Sequence, residues 1–159
     1  MGSVKDVMGY ICDKYPHKSE LSKARLTKMI YLSDWRMVLQ GGRQVTNLKW
    51  QFNHYGPYLD DVKVIAASDD HFEVIETTNI YGSKKEVISL SRPVWDLALS
   101  PDERHAIDHV IDKTQSMYYQ EFMKLVYSTF PIATQPRYEE LDLVSLANQY
   151  KRNRAKGNK

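Results

Sequence analysis

The chain has 159 residues, of which 42% are hydrophobic and 26% charged. It is long enough to bury one core and too apolar to be an extended disordered chain. The formal net charge of +2 is unevenly distributed: the last nine residues contain five of the 22 basic residues and no acidic one, which leaves 17 basic against 20 acidic residues elsewhere. This balance argues against a nucleic-acid-binding platform. It predicts a domain over residues 1–150 and a basic, disordered tail over 151–159.

Cysteine content and hydropathy indicate the compartment. Cys12 is the only cysteine, so the chain cannot form an internal disulfide, which favours a reducing environment. Cys12 lies in an apolar helical stretch, where we expect a buried thiol rather than a nucleophile. No apolar run approaches the roughly 20 residues that span a bilayer, and the first residues lack the apolar stretch of a signal peptide. We therefore expect a cytoplasmic protein that contacts no membrane.

The first forty residues predict two helices. Apolar residues recur at helical spacing over Val4–Tyr15, and Pro16 ends that pattern. Ser19 is a candidate cap for a longer helix over Glu20–Gln40, which the pair Gly41-Gly42 closes. This longer helix has two apolar faces, so we expect it to be central and buried on both sides.

The middle of the chain predicts a small antiparallel sheet. Alternating aromatic residues indicate a short strand over Leu48–Tyr55 that ends at Gly56. A helix over Pro57–Ala67 is expected next, because proline suits the first helical turn. Phe72–Ile80 and Glu86–Leu90 are rich in residues that favour strands and are joined by a glycine-containing turn, so they predict a hairpin.

The last third predicts helices. Ser100 and Glu103 have the spacing of a capping box around a first-turn proline. That helix should extend to about Lys113, and further helices are predicted over Tyr119–Ser128 and Leu141–Tyr150. The expected fold is a mainly helical, single-domain α+β protein with a small antiparallel sheet.

Most catalytic signatures are absent from the sequence. It has no glycine-rich phosphate loop, no nucleophile elbow, no paired Cys-x-x-Cys ligands and no His-Glu-x-x-His helix. His105 and His109 lie four residues apart on a predicted helix and could face one metal ion. Their helix face is charged and expected to be solvent-exposed, so we expect no metal and no cofactor. His54 precedes a turn, but the sequence names no catalytic partner for it, so we predict no catalytic residue.

Four segments together resemble a known family, the Panacea domain of SocA-like antitoxins. Residues 26–36 resemble its helix motif. Residues 42–46, Gly-Arg-Gln-Val-Thr, are similar to its following turn, with Gln44 where proline is common. Trp50 and the His-Tyr-Gly-Pro-Tyr segment at 54–58 resemble its strand and turn, and residues 125–132 resemble its closing helix.

The resemblance implies an antitoxin of a toxin–antitoxin system, often prophage-borne, that binds and neutralises a cognate protein toxin without catalysis. It also implies relatives that deliver a toxin to a protease, so a protease or chaperone is a second candidate partner. The short segment before the motif suggests no separate DNA-binding domain, and we expect no nucleic-acid partner. A metal-dependent hydrolase using His105 and His109 is the alternative from another class.

A neutralising surface needs aromatic anchors surrounded by charges. The candidate partner-binding residues around the motif are Asp34, Trp35, Trp50, Tyr55 and Tyr58. The competing interpretation is that such motif residues form the core and the turns of the fold, and we expect this of at least half of them.

Overall fold

The computed structural model describes residues 2–78, 80–94 and 97–157. Within these ranges the chain forms seven α-helices and two antiparallel pairs of strands. The helices are α1 (Val4–Lys14), α2 (Lys23–Gly41), α3 (Asp61–Ser68), α4 (Pro101–Thr114), α5 (Tyr119–Ser128), α6 (Phe130–Thr134) and α7 (Leu143–Gly157). The strands are β1 (Gln51–Asn53), β2 (Gly56–Tyr58), β3 (Phe72–Thr78) and β4 (Lys84–Leu90). The predicted mainly helical α+β fold is confirmed.

Helix α2 is the centre of the molecule. It packs against α1, α3, α4, α5 and α7 and against β2 and β4, and most of its side chains are buried. Gly42 closes it in a left-handed conformation, with φ of +77°, and donates its N–H to the carbonyl of Val38. Both the burial on two sides and the glycine closure were predicted.

The predicted start of this helix at Ser19 is wrong. Ser22 is the cap, and its Oγ accepts a hydrogen bond from the N–H of Arg25 at 3.1 Å. Residues Lys18–Glu20 form a separate 3₁₀ turn. The Lys18 ammonium donates to three carbonyls at the end of α1, which holds the chain in this turn before α2 begins.

The segment around Pro57 also differs from the prediction. Pro57 lies in β2, opposite Phe52 of β1, rather than in the first turn of a helix. The chain reverses at His54 and Tyr55, and Gly56 has a φ of +101° that a side chain would disfavour. Because this reversal leads directly into a strand, α3 begins only at Asp61.

The long hairpin of β3 and β4 is confirmed, with Phe72 opposite Leu90 and Thr78 opposite Lys84. The first strand was predicted to end at Ile80, whereas β3 ends at Thr78 and residue 79 lies outside the described ranges. The second strand was predicted to begin at Glu86, whereas β4 begins at Lys84. The hairpin is attached to the body where the N–H of Ile88 donates to the carbonyl of Leu21 at 3.1 Å.

The capping box at the start of α4 is confirmed: the Ser100 side chain accepts from the Glu103 N–H, and the Glu103 carboxylate accepts from the Ser100 N–H. The predicted helix over Tyr119–Ser128 is confirmed as α5, and Pro131 occupies the first turn of the separate short helix α6. The predicted end of the last helix at Tyr150 is wrong. Helix α7 continues to Gly157, since no proline or glycine interrupts it before that residue.

The side chains of residues 151–156 in this extension of α7 are exposed, and residues 158 and 159 lie outside the described ranges. The division into a domain over 1–150 and a disordered tail therefore stays a prediction.

One continuous core lies around α2 and takes apolar side chains from all seven helices. Cys12 is buried in it, and burial raises the pKa of this thiol to about 12. The expectation of a structural thiol is thereby confirmed. None of the helices in the described part is long and apolar enough to cross a membrane.

Candidate functional site

A fully buried carboxylate, that of Asp34, organises the loop that follows α2. Its Oδ1 accepts a hydrogen bond from the N–H of Thr46 at 2.9 Å. Its Oδ2 accepts from the Thr46 hydroxyl at 2.6 Å and from the Trp50 indole N–H at 2.9 Å. Burial raises the pKa of Asp34 to about 6, although these hydrogen bonds oppose the shift. The carboxylate thus holds residues 46–50 against the central helix.

The Gly-Arg-Gln-Val-Thr loop is attached at two further points. The Gln44 amide donates to the Leu48 carbonyl at 2.9 Å, to the Thr46 carbonyl at 3.2 Å and to Asp34 Oδ2 at 3.3 Å. Proline at this position could make none of these contacts. Arg43 donates to the buried Glu103 carboxylate at 2.9 Å, which links the loop to α4. We call Asp34, Gln44, Thr46 and Trp50 the Asp34 node.

Both candidate tryptophans are buried. Trp50 is fully enclosed and meets the Tyr31 ring edge-on at 5.6 Å between centroids. Trp35 is 7% exposed, and its ring meets that of Tyr150 of α7 at 6.1 Å between centroids. Asp34, Trp35 and Trp50 are therefore positioned to stabilise the fold. A direct contact with a partner is geometrically open to Tyr55 and Tyr58, and it stays a prediction for both.

Tyr55 lies at the tip of the β1–β2 turn and is 72% exposed. Its ring meets His54 edge-on at 4.5 Å, and the His54 Nδ1 lies 3.4 Å from the hydroxyl of Tyr138, which is itself 69% exposed. We call His54, Tyr55 and Tyr138 the turn cluster. Tyr58 is half-buried, and burial together with a hydrogen bond to Asp60 raises its pKa. The five predicted residues therefore do not form one surface.

The histidine pair on α4 has the predicted spacing, and both side chains are exposed. Asp108, the acidic residue directly before His109, accepts a hydrogen bond from the Tyr10 hydroxyl at 2.6 Å. Among residues 2–78, 80–94 and 97–157, no group of three or more His, Cys, Asp or Glu side chains is arranged to hold a metal ion. The expectation that the protein binds no metal stays a prediction.

Sequence reasoning missed two buried cations on α2. Arg25 donates to the carbonyls of Thr114 and Met117, and its guanidinium lies 4.6 Å from the centre of the Phe122 ring. It therefore fixes the connection between α4 and α5. Lys28 is only 2% exposed. Their signal in the sequence was weak, since charged residues on a helix face usually indicate a solvated face.

These contacts define a class of protein: a mainly helical α+β domain whose central helix carries a buried carboxylate that fixes the loop after it. The model of the family described as antitoxin SocA-like, Panacea domain, matches residues 26–130. This span is more than half of the chain and includes the Asp34 node and the β1–β2 turn, and the chain belongs to that family. The comparisons with curated proteins and with solved structures found no match.

Proposed function

We propose that this protein is an antitoxin that binds a cognate protein toxin and neutralises it. The observation that carries the proposal is the match of residues 26–130 to the SocA-like, Panacea domain family of antitoxins. Partner binding requires exposed anchors on a rigid support. The turn cluster is such a set, because the paired strands β1 and β2 hold its base and the central helix α2 packs against β2.

The hydrogen bonds that the buried carboxylates form within the fold support a binding function rather than catalysis. Asp34 and Glu103, the buried carboxylates of the motif region, both accept hydrogen bonds from neighbouring backbone or side-chain groups. A catalytic carboxylate or histidine needs access to a substrate and a positioned partner. His105 and His109 are accessible, but their neighbour Asp108 is already bonded to Tyr10.

Co-expression with the product of the neighbouring gene tests the proposal. That product should arrest growth when expressed alone, and this protein should restore growth by forming a stable complex with it. A His105→Ala/His109→Ala variant serves as the control for the hydrolase alternative and should restore growth equally well. The antitoxin proposal is wrong if the neighbour is toxic and both proteins are soluble, but growth does not recover.

A further inference from the structure

Lys28 is a buried cation without a partner. Its residue surface is 2% exposed, yet its ammonium is not completely enclosed. Within residues 2–78, 80–94 and 97–157 it forms no hydrogen bond and no ion pair. Burial alone lowers the pKa of Lys28 to about 8, so the group remains mostly charged at neutral pH. A buried charge of this kind is costly unless an anion compensates it.

The end of the Lys28 side chain lies directly beneath the β1–β2 turn. A Cβ atom built on Gly56 would be 3.7 Å from the Lys28 Cε and 3.8 Å from the Tyr127 hydroxyl oxygen. The absence of a side chain at Gly56 therefore leaves space beside both polar ends. Gly56 directly follows His54 and Tyr55, so this space adjoins the turn cluster.

One residue of the turn cluster, Tyr138, has a strained backbone conformation. Tyr138 has a φ of +69° and is the only residue other than glycine with a positive φ in the described part of the chain. Its N–H donates to the Phe52 carbonyl of β1 at 2.5 Å, which fixes the tyrosine beside the turn. Strain that positions an exposed aromatic side chain is common at binding sites.

The charges around the turn cluster favour a partner that presents one acidic group there rather than a run of acidic residues. Arg137 lies 5.7 Å from the Phe52 ring centre and is exposed. Glu139 and Glu140 follow immediately and are exposed too, so the rim carries both signs. Lys28 is the cation beneath the turn that lacks an acceptor.

We propose that the Lys28 ammonium receives one carboxylate side chain of the partner protein, while Tyr55 and Tyr138 bury an apolar group of the partner beside it. This inference rests on the proposed antitoxin function and specifies its binding site. The partner's carboxylate supplies the missing acceptor, and the tyrosines exclude water from the new ion pair. Because Lys28 is already largely desolvated in the free protein, forming this pair costs less desolvation when the partner binds.

Affinity for the neighbouring gene product, measured with purified proteins, tests the proposal. Lys28→Met keeps the length of the side chain and removes an uncompensated charge, so its melting temperature should be equal or higher. Its affinity should fall at least about tenfold. Lys124→Met, which removes an exposed lysine of α5, is the matched control and should bind like the wild type. Tyr138→Ala should also weaken binding, whereas Tyr118→Ala, at a 77% exposed tyrosine outside the turn cluster, should not.

The partner side of the contact can be tested in the same assay. Asp→Asn and Glu→Gln substitutions across the partner should include one that weakens binding as much as Lys28→Met, and combining the two should cause little additional loss. Unchanged affinity of Lys28→Met overturns the inference, even when the wild type neutralises the toxin. If Lys28→Met does not fold, unchanged affinity of Tyr138→Ala overturns it. Failure of the wild type to bind the toxin refutes the antitoxin function, and the inference with it.

Discussion

At the scale of single residues, Asp34 shows how a buried charge is made tolerable. Three donors from Thr46 and Trp50 converge on its two oxygens. The Gln44 amide adds a fourth, longer contact at 3.3 Å. These hydrogen bonds are the compensation that a carboxylate needs when it leaves water. The pKa of Asp34 nevertheless rises to about 6, because burial outweighs them.

This shift predicts a specific dependence of stability on pH. The pKa is 3.8 for an ordinary aspartate and about 6 for folded Asp34, so the folded state binds the proton more tightly. The stabilisation that protonated Asp34 contributes to the folded state is complete below about pH 4. It is lost as the pH rises through about 6, a change on the order of 3 kcal/mol in the free energy of unfolding. Asp34→Asn cannot titrate, so the free energy of unfolding of the wild type relative to this variant should fall across that interval.

Urea unfolding of both proteins between pH 4 and pH 7 measures this difference. Asp102→Asn, at an exposed aspartate of α4, is the control and should follow the wild type throughout. A difference between wild type and Asp34→Asn that does not change with pH would contradict the raised pKa.

The sequence identified Asp34 and Trp50 as candidates but not their contact. A sequence shows that an aspartate lies on an apolar helix and so needs donors; it does not show which donors the following loop will bring there. The indole N–H of Trp50 comes from 16 positions later, through a loop without regular structure. Lys28 was missed because a lysine on a helix is ordinarily solvated, and its burial near Gly56 is decided by tertiary contacts.

At the scale of elements, the contact between α2 and α7 joins the motif helix to the end of the chain. Trp35 and Phe130 both pack against Tyr150, with ring centroids 6.1 and 5.3 Å away. Trp35→Ala should therefore lower the free energy of unfolding by roughly 3–5 kcal/mol, because it opens a cavity in this cluster. Tyr118→Ala, at a highly exposed tyrosine, should change it by less than about 0.5 kcal/mol.

Thermal and urea unfolding of these two variants, together with affinity for the toxin, distinguish the roles of Trp35. A folded Trp35→Ala protein with nearly wild-type stability and greatly reduced affinity would identify Trp35 as a surface anchor instead.

Elements with strong local signals were predicted, and those decided by tertiary contacts were not. The capping box at Ser100 and the β3–β4 hairpin depend on neighbours in sequence, and both were found. Pro57 has a local preference for a helix start, but it lies opposite Phe52 in a strand pair. The backbone N–H of Phe52 donates its hydrogen bond to the carbonyl of Glu139. That contact, 87 positions away in the sequence, has no local signal.

At the scale of the whole molecule, the core and the charged extension of α7 are separate. The core cluster includes side chains of α7 up to Tyr150, whereas residues 151–156 are exposed. Arg154 of the extension contacts Tyr150 at the protein surface, where such contacts contribute little. It donates to the Tyr150 hydroxyl at 3.4 Å and lies 5.8 Å from the ring centre.

Deletion of residues 151–159 should therefore lower the free energy of unfolding by less than about 1 kcal/mol, because surface charges and a solvated helical turn contribute only tenths of a kcal/mol each. Neutralisation of the toxin should be unchanged, since the proposed anchors Tyr55 and Tyr138 lie elsewhere. A variant with Gln in place of Lys151, Arg152, Arg154 and Lys156 is the matched control, because it keeps the helix and removes the charge. If the deletion abolishes neutralisation in a folded protein, the binding energy lies at this end of the chain; if the Gln variant fails as well, it lies in the charges themselves.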